Sequence, residues 1–408
     1  MTLVANRISG PEAIDGLAIC RRCYESIVCG TPFSDRFEPS FKAQGPQETW
    51  TCDPALPSIE DVFTHAARGA GVGWDDVLNV MRARFAAQPC TGPSGSTEPR
   101  PMWTLKTPIE DFAVCDQHYH DEIIPSGFSR EFTPLLRQQR PGKICVCDFT
   151  AINLKLAFNL TSSLKADFQH FRDAVATTFR TPRCNASGVV DGDFYGLLGP
   201  NGPVDNVDIC AACYFSYMRP IGFDRFFVRQ NLPRGTGRLC DMAIGVPRAP
   251  AYLWKMLKSA ITGDFNFFAE HIIAHAQIPQ CPTTRAVMDN RKWYGTDEIL
   301  ICEECHYDVV RPSSFPYAVR TCPSFASWHG MLTYLQLPAR RPRVDERCSL
   351  WASEVRALWD AACVTGDLSA VAAEAREGQA NFARVDYSDL MKAHNEFIMA
   401  STSAIRLS

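Results

Sequence analysis

The pentapeptide Cys210-Ala211-Ala212-Cys213-Tyr214 places two cysteines in the Cys-x-x-Cys spacing, and three variants of it occur elsewhere in the chain. The variants are Cys20-Arg-Arg-Cys23-Tyr24, Cys115-Asp-Gln-His118-Tyr119 and Cys302-Glu-Glu-Cys305-His306. The four first cysteines, at positions 20, 115, 210 and 302, are separated by 95, 95 and 92 residues. Self-similarity at a nearly constant period indicates a chain built from repeated units.

Phenylalanine and proline recur at fixed distances from the first cysteine of each pair. A phenylalanine lies thirteen residues after each first cysteine, at Phe33, Phe128, Phe223 and Phe315. A second phenylalanine lies four residues later in three copies, at Phe37, Phe132 and Phe227. A proline lies ten residues after the first cysteine at Pro125, Pro220 and Pro312. The Phe-x-x-x-Phe spacing predicts one helical turn that presents both rings on one face.

A late cysteine and an early cysteine extend the pattern, each in three of the four copies. A late cysteine follows the pair by 29, 29 and 27 residues in the first three copies, each time directly before an aspartate: Cys52-Asp53, Cys147-Asp148 and Cys240-Asp241. An early cysteine precedes the pair by 25, 26 and 21 residues in the last three copies: Cys90, Cys184 and Cys281. Each copy therefore offers a candidate set of four ligands.

Tetrahedral zinc takes four ligands drawn from thiolate and imidazole, so the sets predict about four structural zinc ions per chain. The predicted ligand sets are Cys90, Cys115, His118 and Cys147; then Cys184, Cys210, Cys213 and Cys240; then Cys281, Cys302, Cys305 and Cys348. The replacement of a cysteine by His118 favours metal ligation over packing, because imidazole is also a zinc ligand. The first copy has no early cysteine, and Cys29 is predicted to join Cys20, Cys23 and Cys52 instead.

Two assignments have competitors within the chain. Cys145 competes with Cys147, which fits the pattern better because Asp148 follows it; Cys322 competes with Cys348, which stands directly before the last helical segment. Cys363 falls inside a predicted helix and reads as a small core residue. Disulfides or unpaired buried cysteines are the alternatives to metal; a disulfide framework would need secretion, and scattered unpaired cysteines would not keep this register.

Helical periodicity follows each late cysteine. In the first copy, Ser58 is predicted to cap a helix bearing Val62 and Phe63, and a second helix bears Val77 and Met81. In the third and fourth copies, Gly263-Asp264 and Gly366-Asp367 predict the turn between two helices. The predicted fold is mainly α, with small irregular or β zinc knots, in four tandem modules that each combine a zinc knot with a helical hairpin. The predicted modules span residues 1–88, 89–182, 183–279 and 280–408, the last with a C-terminal helical extension.

The 408 residues carry a formal net charge of −4, and 46% of them are hydrophobic. This usage is typical of globular domains and gives no general basic field that would attract nucleic acid. The first residues lack a basic segment followed by an apolar one, and no stretch of about 18 apolar residues occurs. An intracellular location, cytoplasmic or nuclear, is therefore expected, with reduced thiols and no membrane partner.

Catalytic motifs are missing from the sequence. There is no nucleotide-binding P-loop, no Gly-x-Ser-x-Gly and no His-Glu-x-x-His, and neither His-x-Glu triplet precedes a Pro-Cys-x-x-Cys. His271 and His275 have the helical i, i+4 spacing of a metal pair, but packing or exposure is the favoured interpretation because no matching carboxylate motif accompanies them. An enzyme is not expected.

Two binding functions remain. We expect a protein-interaction scaffold; the rival is a nucleic-acid-binding protein that uses arginine- and phenylalanine-rich loops of the third and fourth modules. The loop residues are Arg219, Phe223, Arg225, Phe226, Phe227, Arg229, Arg234 and Arg238, followed by Arg340, Arg341, Arg343 and Arg347. Arginines beside aromatic rings can contact phosphates and stack on bases. Against this rival, zinc–thiolate sites are anionic and would bring the net charge to about −11.

The Cys-x-x-Cys-Tyr/His pairs followed by Pro-x-x-Phe resemble cysteine-rich repeat proteins of filamentous fungi. The resemblance covers most of the chain. It implies a repeated cysteine-rich architecture and brings no activity with it.

Overall fold

The computed structural model describes a chain that falls into two compact units, Met1–Phe179 and Arg180–Ser408. The described residues are 5–8, 13–14, 17, 19–40, 52, 57–136, 142–185, 188–199, 202–244, 246, 248–281, 292–295, 299–311, 348–351, 353–365 and 367–374. About half of them are helical, and the strands are short. Pro312, Phe315, Cys322 and the arginines between 340 and 347 lie outside the described residues.

Seven longer helices follow the cysteine-rich stretches in the described chain. They are α1 Pro57–Ala67, α2 Trp74–Ala86, α3 Ile152–Ser163, α4 Phe168–Arg180, α5 Ala249–Thr262, α6 Asn266–Ala276 and α7 Ser353–Thr365. Residues 369–374 are also helical. Short 3₁₀ turns occur at Ser34–Arg36, Gly92–Ser94, Ser129–Glu131, Asp148–Thr150, Asp224–Phe226 and Ser349–Trp351.

The strands pair antiparallel in small sheets. They are β1 Ala5–Ile8, β2 Ile19–Cys20, β3 Phe37–Ser40, β4 Met102–Leu105, β5 Val114–Cys115, β6 Phe132–Pro134, β7 Val189–Val190, β8 Phe194–Gly199, β9 Gly202–Pro203, β10 Ile209–Cys210, β11 Phe227–Arg229, β12 Gly237–Arg238, β13 Trp293–Gly295 and β14 Leu300–Cys302. The strand orders are β2-β1-β3, β5-β4-β6 and β10-β8-β11 with β9 on β8, and β12 pairs with β7 and β13 with β14.

Each Cys-x-x-Cys or Cys-x-x-His pair lies where a strand turns into a helix. The first cysteine ends a strand in extended conformation, with φ of −66° and ψ of 157° at Cys210, and the chain then enters three α-helical residues and five π-helical ones. We call each eight-residue element a knuckle. The knuckles are residues 21–28, 116–123, 211–218 and 303–310. Because the strand end and the helical start are adjacent, two ligands three positions apart can face one ion.

The phenylalanines after each knuckle do not share a helical turn, so that prediction is wrong. Phe33 precedes the 3₁₀ turn Ser34–Arg36, and Phe37 begins β3 in extended conformation. The two rings still reach the same core, where Phe37 lies 6.1 Å from Phe63 and Phe33 lies 5.4 Å from Trp74 between ring centroids. A shared core rather than a shared turn therefore accounts for their fixed spacing.

Paired helices carry the apolar cores. Phe158 of α3 and Phe171 of α4 are fully buried and lie 5.1 Å apart between ring centroids. The turn between α5 and α6 is built as the sequence indicates: Gly263 has φ of 71°, and Asp264 accepts a hydrogen bond from the N–H of Asn266 at 3.0 Å. Ser58 lies one residue inside α1, which begins at Pro57, and is not its cap.

In both units a helix pair packs on the knuckle that follows it in sequence. In the first unit, α1 and α2 contact residues 119–123, and Arg84 of α2 forms an ion pair with Asp121. In the second unit, His275 of α6 contacts Asp308 at 2.7 Å. These contacts tie the α1–α2 and α5–α6 hairpins to the knuckles that follow them. Within the described chain, no helix has the length and apolar character needed to cross a membrane.

Candidate metal centres

Among the residues that the structure describes, four groups of side chains lie close enough to hold a metal ion, each with its ligand atoms within 4.8 Å of one another. In chain order they are Cys20, Cys23 and Cys52; Cys90, Cys115, His118 and Cys147; Cys184, Cys210, Cys213 and Cys240; and Cys281, Cys302, Cys305 and Cys348. We refer to them as the first to fourth clusters. None of the seventeen cysteines in the described part of the chain forms a disulfide.

The late cysteine of every cluster accepts the same backbone hydrogen bond. The N–H of the first knuckle cysteine donates to its Sγ at 3.2 Å in the second cluster and at 3.3 Å in the third. The equivalent distances are 3.3 Å in the first cluster and 3.4 Å in the fourth. An N–H directed at sulfur stabilises the thiolate form, which is the form that binds metal.

The aspartate after the late cysteine clamps the strand before the knuckle. Asp148 accepts a hydrogen bond from the N–H of Ala113 at 2.7 Å and donates its own N–H to the carbonyl of Ala113 at 2.9 Å. Asp241 makes the same two bonds to Asp208, both at 2.9 Å. In the fourth cluster the hydroxyl of Ser349 accepts from Leu300 at 3.1 Å. This clamp explains the Cys-Asp pairs of the sequence.

In the second and fourth clusters, a side chain near the start of the knuckle binds the backbone of the early cysteine. Gln117 accepts the N–H of Cys90 at 2.6 Å, and Glu304, at the equivalent position, accepts the N–H of Cys281. Gln117 and Glu304 are the third residues of their Cys-x-x-His and Cys-x-x-Cys sequences. Through this hydrogen bond each joins an early cysteine, more than twenty residues back in the chain, to the other three members of its cluster.

His118 presents Nδ1 to the second cluster, at 3.2 Å from the Sγ of Cys115 and 3.3 Å from that of Cys147. Its Nε2 lies 3.8 Å from Glu122, which pairs with Lys155 at 2.7 Å. Metal-bound histidines commonly have a carboxylate behind the ring, and Glu122 occupies that place at a distance beyond a direct hydrogen bond. Burial lowers the pKa of His118, but hydrogen bonds to cysteine sulfurs outweigh burial and raise that pKa to about 10.

Burial also raises the pKa of the Cys240 and Cys348 thiols well above the ordinary value. Without a cation, several adjacent thiolates cannot be ionised together in a buried site. A divalent metal ion removes this cost, because it displaces the protons and neutralises the sulfurs. The chemistry of these donor sets therefore suits a thiophilic cation.

The first cluster departs from the prediction. It gathers Cys20, Cys23 and Cys52, but Cys29, expected as the fourth ligand, is exposed and does not belong to the group. Cys29 directly follows the π-helical residues of the knuckle, and its N–H donates to the carbonyl of Tyr24 at 2.8 Å. Its position is set by the end of the knuckle rather than by the cluster.

The competing cysteines lie elsewhere. Cys145 forms an isolated bridge with Ser96 through two backbone hydrogen bonds of 2.9 Å, and Cys147 is the one that joins the second cluster. Cys363 is buried in α7 within the hydrophobic core of its unit. Cys322 lies outside the described residues, and Cys348 occupies the fourth cluster.

Two sets of residues around the clusters escaped sequence reasoning. The first is a strand aromatic that stacks on the residue after the knuckle pair: Trp103 on Tyr119 at 3.5 Å, Tyr195 on Tyr214 at 3.7 Å and Tyr294 on His306 at 3.8 Å between centroids. The second is a basic residue eight positions after the late cysteine: Lys155, Arg248 and Arg356. The constant offset of eight was a detectable signal, whereas the strand aromatics have variable spacing.

Arg356 and Arg248 place positive charge near the thiolate-rich clusters. Arg356 donates to the Sγ of Cys305 at 3.6 Å, and Arg248 contacts Glu304 at 2.7 Å and Asp241 at 3.9 Å. Glu304 and Asp241 each adjoin a ligand, Cys305 and Cys240. The excess negative charge of a four-thiolate site is thus partly balanced by buried arginine.

His271 and His275 do not form a metal group in the described chain. The buried His275 ring uses both nitrogens otherwise: Nδ1 lies 2.8 Å from the carbonyl of His271 and Nε2 lies 2.7 Å from Asp308. This histidine is a packing residue at the knuckle.

Comparison of the chain with protein-family models, curated proteins and solved structures finds no match.

Proposed function

We propose that four zinc ions hold this chain as four tandem modules, each a zinc knuckle followed by a helical hairpin, and that the assembled array is a scaffold for protein partners. The observation that carries the proposal is the gathering of cysteines distant in sequence into four groups placed to hold a metal ion. Zinc is the ion of choice because it accepts mixed thiolate and imidazole sets in tetrahedral geometry.

The repeated wiring of the clusters supports a modular array. In each cluster the first cysteine donates its N–H to the late cysteine. In the last three clusters the residue after the late cysteine, which is Asp148, Asp241 or Ser349, binds the strand before the knuckle. The second, third and fourth clusters each offer four protein ligands, which leaves no position for a substrate. Closed sites of this kind are structural rather than catalytic.

The outer face of the α5–α6 hairpin supplies a contact surface. Trp254 and Phe267 lie 5.7 Å apart between centroids, and the Nζ atoms of Lys255 and Lys258 lie 4.0 and 4.4 Å from the Phe267 ring. Exposed Ile261 and Ile273 lie on the same two helices. Apolar surface edged by two ammonium groups fits a partner segment that combines large apolar side chains with carboxylates.

Metal analysis tests the structural half of the proposal. Purified protein is expected to contain about four zinc ions and to lose helical circular dichroism when a strong chelator removes them. Cys213→Ser should lower the zinc content by one and unfold the third module, whereas Cys363→Ser, outside the clusters, should leave the content unchanged. A metal-free, folded protein would contradict the proposal.

Selection from a random peptide display library tests the contact surface. Enriched peptides should be acidic and rich in large apolar residues, and Trp254→Ala or Lys258→Glu should abolish their binding. Val364→Ala, which alters an exposed apolar residue on α7, should leave binding unchanged. Peptides that bind all of these variants equally, or no enrichment at all, would exclude this surface.

Nucleic-acid binding is the second candidate, favoured by cations stacked on rings beside the third knuckle. Arg225 lies 4.8 Å from the Phe226 ring and Arg219 lies 5.0 Å from the Phe215 ring. Two phenylalanines of this loop, Phe223 and Phe227, are buried and have no free face for a base. Binding of a single-stranded oligonucleotide measured against salt concentration separates the functions: a steep salt dependence supports this candidate, and negligible binding at low salt excludes it.

A further inference from the structure

The first cluster has a different donor set from the other three. It brings together three thiols, and before Cys90 the chain contains only two other cysteine or histidine residues, Cys29 and His65. Cys29 is exposed and outside the group. His65 is exposed on α1, and its Nδ1 lies 2.8 Å from the carbonyl of Asp61. Neither residue completes the cluster with a fourth sulfur or nitrogen.

The first cluster is also the most exposed of the four. Cys20, Cys23 and Cys52 are all partly exposed, whereas all four cysteines of the fourth cluster are buried. At the offset of eight from the late cysteine, where the other copies have Lys155, Arg248 and Arg356, the first copy has the exposed Glu60. Solvent and competing ligands therefore have access to this cluster, and no cation stands at that position.

Three thiolates bind a thiophilic ion and leave one position of its tetrahedron for a ligand from outside. We propose that the first cluster is an exchange site, which takes up and releases a thiophilic divalent ion through a replaceable fourth donor while the other three clusters stay loaded. This inference rests on the proposed function, because it requires that the clusters hold metal. It gives the array one metal-responsive position among three permanent ones.

Chelator competition on the full-length, zinc-loaded chain tests the exchange site. With a chromophoric chelator, one zinc ion should leave at least about tenfold faster than the other three. Tenfold is the smallest loss of metal affinity expected when a residue that supports a ligand is removed, and the first cluster lacks a ligand itself. Cys52→Ser should remove the fast ion, and Cys29→Ser should leave both the fast ion and the total unchanged. Release of all ions at one rate, or loss of the fast ion in Cys29→Ser, would overturn the inference.

Cadmium NMR on the unmodified chain gives a test that needs no variant. The cadmium chemical shift depends on the number of sulfur ligands, so the four sites should give two four-sulfur signals, one signal for three sulfurs and a nitrogen, and one for three sulfurs and an oxygen. A third four-sulfur signal would refute the exchange site alone. A chain that binds no metal at all would refute the proposed function and this inference with it.

Discussion

The residue after each late cysteine shows how one side chain supports a distant ligand. Asp148 satisfies the N–H of Ala113 just before the knuckle, and the hydroxyl of Ser349 serves the equivalent N–H in the fourth cluster. Asp148→Ala leaves that N–H without a partner and should lower the free energy of unfolding by about 1–3 kcal/mol. Asp148→Ser should cost less, because serine already performs this role elsewhere in the chain. Urea unfolding of the zinc-loaded variants measures both, and equal losses would contradict the clamp.

His118 is the one imidazole among the clustered ligands, and its Nδ1 faces two sulfurs. His118→Cys should keep the zinc content, because it reproduces the four-thiolate sets of the third and fourth clusters. His118→Ala leaves three thiolates, the donor set of the first cluster, so the second cluster should release its zinc at least about tenfold faster. Zinc content and the rate of zinc release to a chelator, measured on the two variants side by side, decide the point; an unchanged release rate in His118→Ala would remove His118 from the ligand set.

At the residue scale, constant spacing made much of the site readable from the sequence. The aspartate that follows each late cysteine in the first three copies singled out Cys147 over Cys145, and the structure places Cys147 in the cluster. The same logic failed for Cys29, which belongs to one copy only and had no equivalent to set its phase. The role of Gln117 was also hidden, because one hydrogen bond to the N–H of Cys90 leaves no repeated residue type behind.

At the scale of elements, α6 is joined to the fourth knuckle through a titratable contact. Burial lowers the pKa of His275, but the hydrogen bond and charge of Asp308 outweigh it and raise that pKa above 6.5. A raised folded-state pKa stabilises the fold fully below the unfolded value, and the contribution is lost as pH rises through the folded value. The loss of unfolding free energy in His275→Gln should therefore be largest below about pH 6.5 and shrink at higher pH.

The matching contact of the first unit provides the control for this pH dependence. Arg84 of α2 pairs with Asp121 of the second knuckle, and an arginine keeps its charge at any pH a protein tolerates. Arg84→Gln should therefore destabilise by the same amount across the neutral range. The free energy of unfolding of both variants and of the unmodified chain, measured at several pH values and at fixed total zinc, gives the comparison. A His275→Gln effect that does not vary with pH would show that His275 acts through packing alone.

Elements were predictable where they are long enough to show a period. Helices of 11 to 14 residues, such as α5 and α6, carry several apolar residues on one face, and α5 ends at a recognisable glycine. Strands of two to four residues, such as β5 and β4, are too short for alternation to be visible. The Phe33 and Phe37 spacing misled for the same reason, since a 3₁₀ turn followed by a strand can bring two rings to one core as a helix does.

At the scale of the whole molecule, a buried polar network connects the third and fourth clusters. Asp241, next to the ligand Cys240, accepts a bond from Gln280 at 2.9 Å, and Gln280 adjoins the ligand Cys281. Arg248 links Asp241 to Glu304, and Glu304 accepts the N–H of Cys281. A disturbance of either cluster therefore reaches the backbone of the other through these side chains, of which Asp241, Arg248 and Glu304 are buried.

Removal of the central arginine tests this connection. Arg248→Met leaves Glu304 buried without its partner and should cost about 3–5 kcal/mol of unfolding free energy, with faster loss of metal from both clusters. Addition of Glu304→Gln should recover part of the loss, because the unpaired charge is then gone. Arg225→Met, at an exposed arginine, should change stability by no more than about 0.5 kcal/mol. Faster loss from one cluster only would mean that the two are independent.

The stacked ring pairs beside the second and third knuckles make two of the four clusters visible to spectroscopy without any label. The ring planes of Trp103 and Tyr119, and of Tyr195 and Tyr214, are within 2° of parallel, a geometry in which neighbouring chromophores couple and give a strong near-ultraviolet dichroic band. The strand position that carries Trp103 in the second copy is Asn6 in the first, so that copy lacks the pair. Emptying the first cluster would therefore be optically silent in this band, while emptying the second or the third would extinguish a signal.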